Sequence, residues 1–142
     1  MSESTERQFL PTFAELIDRM TVTKIKLNLV ENGKDDFKEE LRKISSDLDL
    51  ILTTNPIHLT GELISSFVTI AQLNLHIWNN KDKMQENLEN EGEYLRLLKL
   101  SHQLNGYRNK IKNQLLLIEG ISDKSQVRSN FETDGLNFEI GL

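Results

Sequence analysis

Arg108 stands in register with Leu104, Ile111 and Leu115, so a helix through this segment turns a guanidinium toward the same side as its apolar residues. A desolvated cation without a partner is costly, and the position therefore demands polar company. Asn105 and Asn109 flank it in the chain. Asn74 repeats the pattern elsewhere, in register with Leu63, Phe67, Ile70 and Ile77 and four residues ahead of Trp78. Asp18 and Arg19 adjoin the Leu16–Ile17–Met20 face, and Lys24 lies four residues after Met20. If helices carrying these residues pack antiparallel, Asp18, Arg19, Lys24, Asn74, Trp78, Asn105, Arg108 and Asn109 can gather in one polar layer. Asp18 or Asp82 would then be the carboxylate for Arg108, because a guanidinium and a carboxylate form two parallel hydrogen bonds. Such a layer can fix helix register, hold a small anion or do catalysis. Trp78 taken alone is more often a core or interface residue than a stacking platform.

Other chemistries find less support. The chain has no cysteine, and its three histidines, His58, His76 and His102, have no metal-motif spacing. There is no glycine-rich phosphate loop and no GxSxG, and Ser65 and Ser66 have no histidine in a recognisable arrangement. Glu86 and Glu89 have ExxE spacing, and Asp36, Glu39 and Glu40 form a second acidic group. A magnesium site needs carboxylates converging from at least two helices, and neither group has a matching ExxD pair later in the chain. The sequence thus names no catalytic residue, no metal ligand and no cofactor.

The elements that must position these residues read as four helices. Pro11 suits the first turn of a helix carrying Phe13, Leu16, Ile17, Met20, Lys24 and Leu27, with Gly33 as its stop. The alternation of Ile25, Leu27 and Leu29 with Lys26 and Asn28 offers a rival strand, which the upstream helical pattern outweighs. Asp35 or Asp36 can cap a second helix whose Phe37, Leu41, Ile44, Leu48 and Ile51 form one stripe, ending before Asn55-Pro56. Thr60 is a suitable N-cap for a third helix, which the phase of Met84 and Leu88 extends to about Asn90. Gly92 allows a reversal into a fourth helix carrying Leu97, Ser101, Leu104, Arg108, Ile111, Leu115 and Ile118, closed by Gly120. The expected architecture is an all-α antiparallel four-helix bundle over residues 1–120, with residues 1–10 as a flexible tail. Residues 121–142 change character: Asp134-Gly135 is a turn dipeptide, and Leu136, Phe138 and Ile140 alternate with polar residues, as in a tail, arm or small hairpin.

A chain of 142 residues can bury a core without staples. Its 17 basic and 22 acidic side chains leave a net charge of −5, which argues against binding nucleic acid through phosphates. No apolar run approaches the length of a membrane span, and Met1 to Gln8 lack the basic start and apolar middle of a signal peptide. With no cysteine, these features point to a cytoplasmic protein.

Three segments resemble motifs of a family of small all-helical proteins of bacteria and phages that carry a domain of unknown function. Phe13-Ala14-Glu15-Leu16-Ile17-Asp18-Arg19-Met20-Thr21-Val22-Thr23-Lys24-Ile25-Lys26 is similar to its opening motif, which runs approximately E-L-[IV]-D-[RK]-L-[ST]-I-x-x-[IL]-K. Leu73-Asn74-Leu75-His76-Ile77-Trp78 is similar to its second motif, an Asn followed four residues later by Trp. Leu104-Asn105-Gly106-Tyr107-Arg108-Asn109 is similar to its third, N-x-x-R-N. The resemblance runs from about Phe13 to Glu119. Asn79-Asn80-Lys81-Asp82 departs from the acidic residues that usually follow the Trp, which leaves no family support for a carboxylate role there. It implies a helical fold and a shared polar cluster, with no reaction attached.

Together these readings point to a non-catalytic binding or assembly module. The expectation is a homodimer, because the apolar stripes of the first and third helices exceed what one core needs, with a small anionic ligand at the polar layer. The alternative is a magnesium-dependent enzyme resembling the all-α nucleotide pyrophosphohydrolases.

Overall fold

The computed structural model describes residues 11–118, which form four helices: α1 (Phe13–Leu29), α2 (Lys34–Thr54), α3 (Gly61–Glu86) and α4 (Glu91–Ile118). The expected all-α bundle is what forms, with no strand among the described residues. The rival strand at Ile25–Leu29 is instead the last part of α1. The C-terminal tail or arm expected over residues 121–142, and the N-terminal tail expected over residues 1–10, lie outside the described residues.

Local chemistry sets the helix ends. The Thr12 hydroxyl accepts from the Glu15 backbone N–H at 3.1 Å and caps α1. Gly33, expected to stop the first helix, also opens the second. It takes a left-handed φ of 85° and precedes α2 directly, so Asp35 and Asp36 lie inside the first turn and are not its cap. Thr60 caps α3 as its sequence position predicts, accepting from the Leu63 N–H at 3.1 Å. Thr60→Ala should cost about 1 kcal/mol of stability in urea denaturation, the usual contribution of such a cap. α3 ends at Glu86, short of Asn90, and the chain reverses over residues 87–90. Asn90 rather than Gly92 begins the next helix, with its side-chain oxygen accepting from the Glu93 N–H at 3.2 Å.

α3 and α4 form an antiparallel hairpin and are the most extensively paired helices. Asn80 reaches Leu97, and Asn74 reaches Arg108, so moving back along α3 advances along α4. α1 lies along this hairpin parallel to α3, since Phe13 packs near Phe67 and Asp18 meets Asn74. The main core is where they meet: Ala14, Leu63, Ile70, Leu73, Ile77, Leu104, Ile111, Leu115 and Leu116. α2 packs closely against α1 alone, through Ile44, Leu48 and Ile51 against Phe13 and Leu16. The bundle is thus three central helices with α2 laid against the outside of α1.

On the surface, Arg42 pairs with Glu39 and Arg96 with Glu93, each one helical turn apart. The hydrogen bond from its arginine holds each glutamate below the usual carboxylate range. These pairs lie in water and contribute little to the fold. No helix among the described residues is long and apolar enough to cross a membrane.

Candidate functional site

The polar residues on the inner faces of α1, α3 and α4 meet at one level. Asn74, only 3% exposed, is the hub. Its amide nitrogen donates to Asp18 Oδ1 at 2.7 Å and to Thr21 Oγ1 at 2.5 Å. Its amide oxygen accepts from an Arg108 terminal nitrogen at 3.3 Å. The Thr21 hydroxyl donates to the Asp18 backbone carbonyl at 2.8 Å, the i, i+3 reach of a helical hydroxyl. Lys112 Nζ closes the cluster on Asp18 Oδ2 at 3.2 Å, with both side chains largely out of water (12% and 13% exposed).

Of the residues expected at a polar layer, Asp18, Asn74 and Arg108 are brought together. Arg19 and Lys24 point into solvent on α1. Trp78 is half-buried. Asn105 turns back to its own helix, donating to the Ser101 carbonyl at 3.0 Å. Asn109 is buried. Neither expected carboxylate pairs with Arg108: Asp82 is exposed, and Asp18 goes to Lys112. The reason is reach. Lys112 lies one turn beyond Arg108 on the same helix and meets Asp18 directly, while Asn74 stands between Asp18 and the guanidinium.

Lys112 and Thr21 are the members that the reading of the sequence missed. Their signal was present as helical spacing, with Lys112 four residues after Arg108 and Thr21 three after Asp18. Asn80 is a second buried amide on α3. It is 2% exposed and donates to the Leu97 carbonyl at 2.8 Å, tying α3 to α4 near their turn.

The charges in the layer do not balance. The layer holds two cations, Arg108 and Lys112, and one carboxylate, Asp18, which pairs with Lys112 while Arg108 donates to Asn74. Arg108 Nε is buried and has no hydrogen-bond partner among the described residues. Arg108 as a whole is only partly buried, although its Nε is out of contact with water. A shallow groove of about 310 Å³ between α3 and α4, bordered by His76, Lys83, Arg96 and Leu97, does not include any member of this cluster. The acidic groups at Glu86 and Glu89 and at Asp36 and Glu39 are exposed. Among the described residues no three acidic or histidine side chains converge as metal ligands.

The fold and the site together define a small all-α bundle with a buried polar layer linking three helices. No protein-family model, no curated protein and no solved structure matches the chain.

Proposed function

We propose that the protein is a cytoplasmic, non-catalytic binding and assembly module that takes a small anionic ligand at Arg108 and works as a homodimer. The observation that carries the ligand is the surplus positive charge of the layer, with a buried guanidinium N–H that has no acceptor among the described residues. A phosphate offers planar arginine the geometry it prefers, so the ligand class is a nucleotide or sugar phosphate. In this reading Asp18, Thr21, Asn74 and Lys112 hold the three helices in place, and Arg108 contacts the ligand. Membership of the helical family of bacteria and phages is proposed on the three motifs quoted above. It gains interest because every motif contributes to the cluster: Asp18 and Thr21 from the first, Asn74 from the second and Arg108 from the third.

Thermal unfolding of the full chain with AMP, glucose 6-phosphate or inorganic phosphate tests the ligand. At ten times the dissociation constant a bound anion adds about 1.4 kcal/mol, a rise of several degrees in Tm for a domain of this size. Arg108→Met should remove that rise, weakening binding by roughly ten- to a hundredfold, as expected for a lost charged hydrogen bond. A rise that appears only with magnesium favours the pyrophosphohydrolase-like alternative. A flat response to every anion, or an equal response in Arg108→Met, sinks the ligand site.

A further inference from the structure

Ile64, Val68, Ala71 and Leu75 recur at steps of four, three and four along α3 and so share one stripe of the helix. That stripe lies opposite the face buried through Leu63, Ser66, Ile70, Leu73 and Ile77. Ile64, Val68 and Leu75 are 47%, 62% and 43% exposed, and Ala71 is exposed as well. α1 and α4 pack elsewhere on α3, and α2 packs closely only on α1. The stripe therefore has no partner within the described residues.

Charge gives the stripe its meaning. In a chain with 27% charged residues, α3 has no Asp, Glu, Lys or Arg from Leu63 to Asn80. The exposed faces of the other helices do carry charge: Arg19 and Lys24 on α1, Arg42 and Asp47 on α2, Lys99 and Lys110 on α4. Depletion of charge around exposed apolar side chains is the mark of an interface centre. It also selects the occupant. Close to a two-fold axis each residue meets its own copy or a near neighbour, so any charge there would face a like charge. Residues 11–118 carry 14 basic and 15 acidic side chains, so little net charge opposes the approach of two copies of the bundle, and a face without charge opposes it least.

We infer that this face of α3 packs against the same face of a second copy, with the two α3 helices antiparallel across a two-fold axis between Val68 and Ala71. The inference rests on the self-association proposed above and adds its surface and symmetry. The antiparallel register sets Ile64 of one copy near Leu75 of the other, while the small Ala71 lets the two helices approach closely.

Sedimentation velocity of the full chain, from low to high micromolar, tests it. The expected result is a dimer in the unaltered protein. Val68→Glu and Val68→Lys should each weaken association by at least about a hundredfold, the effect of losing a central interface side chain and placing like charges together. Both changes are at an exposed position, and unchanged helicity by circular dichroism confirms folding. An equimolar mixture of the two variants should dimerise again, because opposite charges then meet across the axis. A monomeric unaltered protein overturns the inference together with the homodimer it rests on. A dimer untouched by either variant overturns the surface alone and leaves the homodimer standing. Failure of the mixture to re-form a dimer overturns the two-fold placement.

Discussion

Asp18→Ala should destabilise the bundle by about 3 kcal/mol, as measured by urea denaturation, the lower end of the range for breaking a buried ion pair. The carboxylate accepts from both Asn74 and Lys112, and its two partners come from different helices. Its removal leaves Lys112 without a counterion beside Arg108 and deprives the Asn74 amide of one acceptor. The slight exposure of both side chains places the cost at the lower end. Asp18→Leu combined with Lys112→Met should recover most of the loss, because the lysine is no longer orphaned and Arg108 keeps its hydrogen bond to Asn74. A single substitution that cost less than about 1 kcal/mol would show the pair to behave like a solvated surface bridge.

The second large effect belongs to the hairpin core. Leu104 is fully buried at the junction of the three central helices, together with Ile70, Leu73 and Ile111. Leu104→Ala should cost about 4 kcal/mol, combining lost burial with a cavity walled by two other helices that cannot easily collapse. Leu48→Ala on α2 should cost about 2 kcal/mol, because Leu48 is 8% exposed and α2 can settle inward onto α1. Equal losses for the two substitutions would contradict a core centred on α1, α3 and α4 with α2 at its edge.

Much of this architecture is legible in the sequence, and the misses have physical causes. The inner face of α2 is legible in the sequence, with Ile44, Leu48 and Ile51 buried and Phe37 and Leu41 partly so, because its apolar stripe stands on a charged background and one face only can be buried. α3 is apolar over much of its circumference, and periodicity alone could not choose its inner side. The large residues Phe67 and Trp78 suggested one phase. The bundle buries Ser66, Leu73 and Asn80 instead and leaves both aromatics half-buried. The same ambiguity concealed the exposed stripe through Val68.

The polar layer divides along similar lines. Arg108 and Asn74 were recognisable because each interrupts an apolar stripe, and Asp18 because it borders one. Their convergence followed from the spacing once α1 was set parallel to α3 and antiparallel to α4. The choice of Lys112 over Arg108 as partner of Asp18 was not readable. Both cations lie on neighbouring turns of α4, and which one reaches α1 depends on the height at which the helices cross. Arg19, Lys24 and Asn105 illustrate the converse. Nearness in sequence placed them beside the layer, but their helices turn Arg19 and Lys24 outward and leave Asn105 bonded to its own backbone.

By itself the sequence determined the helical class, the four segments, the α3 cap and the residues that would be costly to bury alone, whereas Thr12 rather than Pro11 opens α1. These follow from local propensity and from a period that each segment carries within itself. The tertiary structure decided which face of α3 is inside, why α2 touches only α1, and which cation meets the carboxylate. Those outcomes depend on distances between helices far apart in the chain, and no local pattern encodes them.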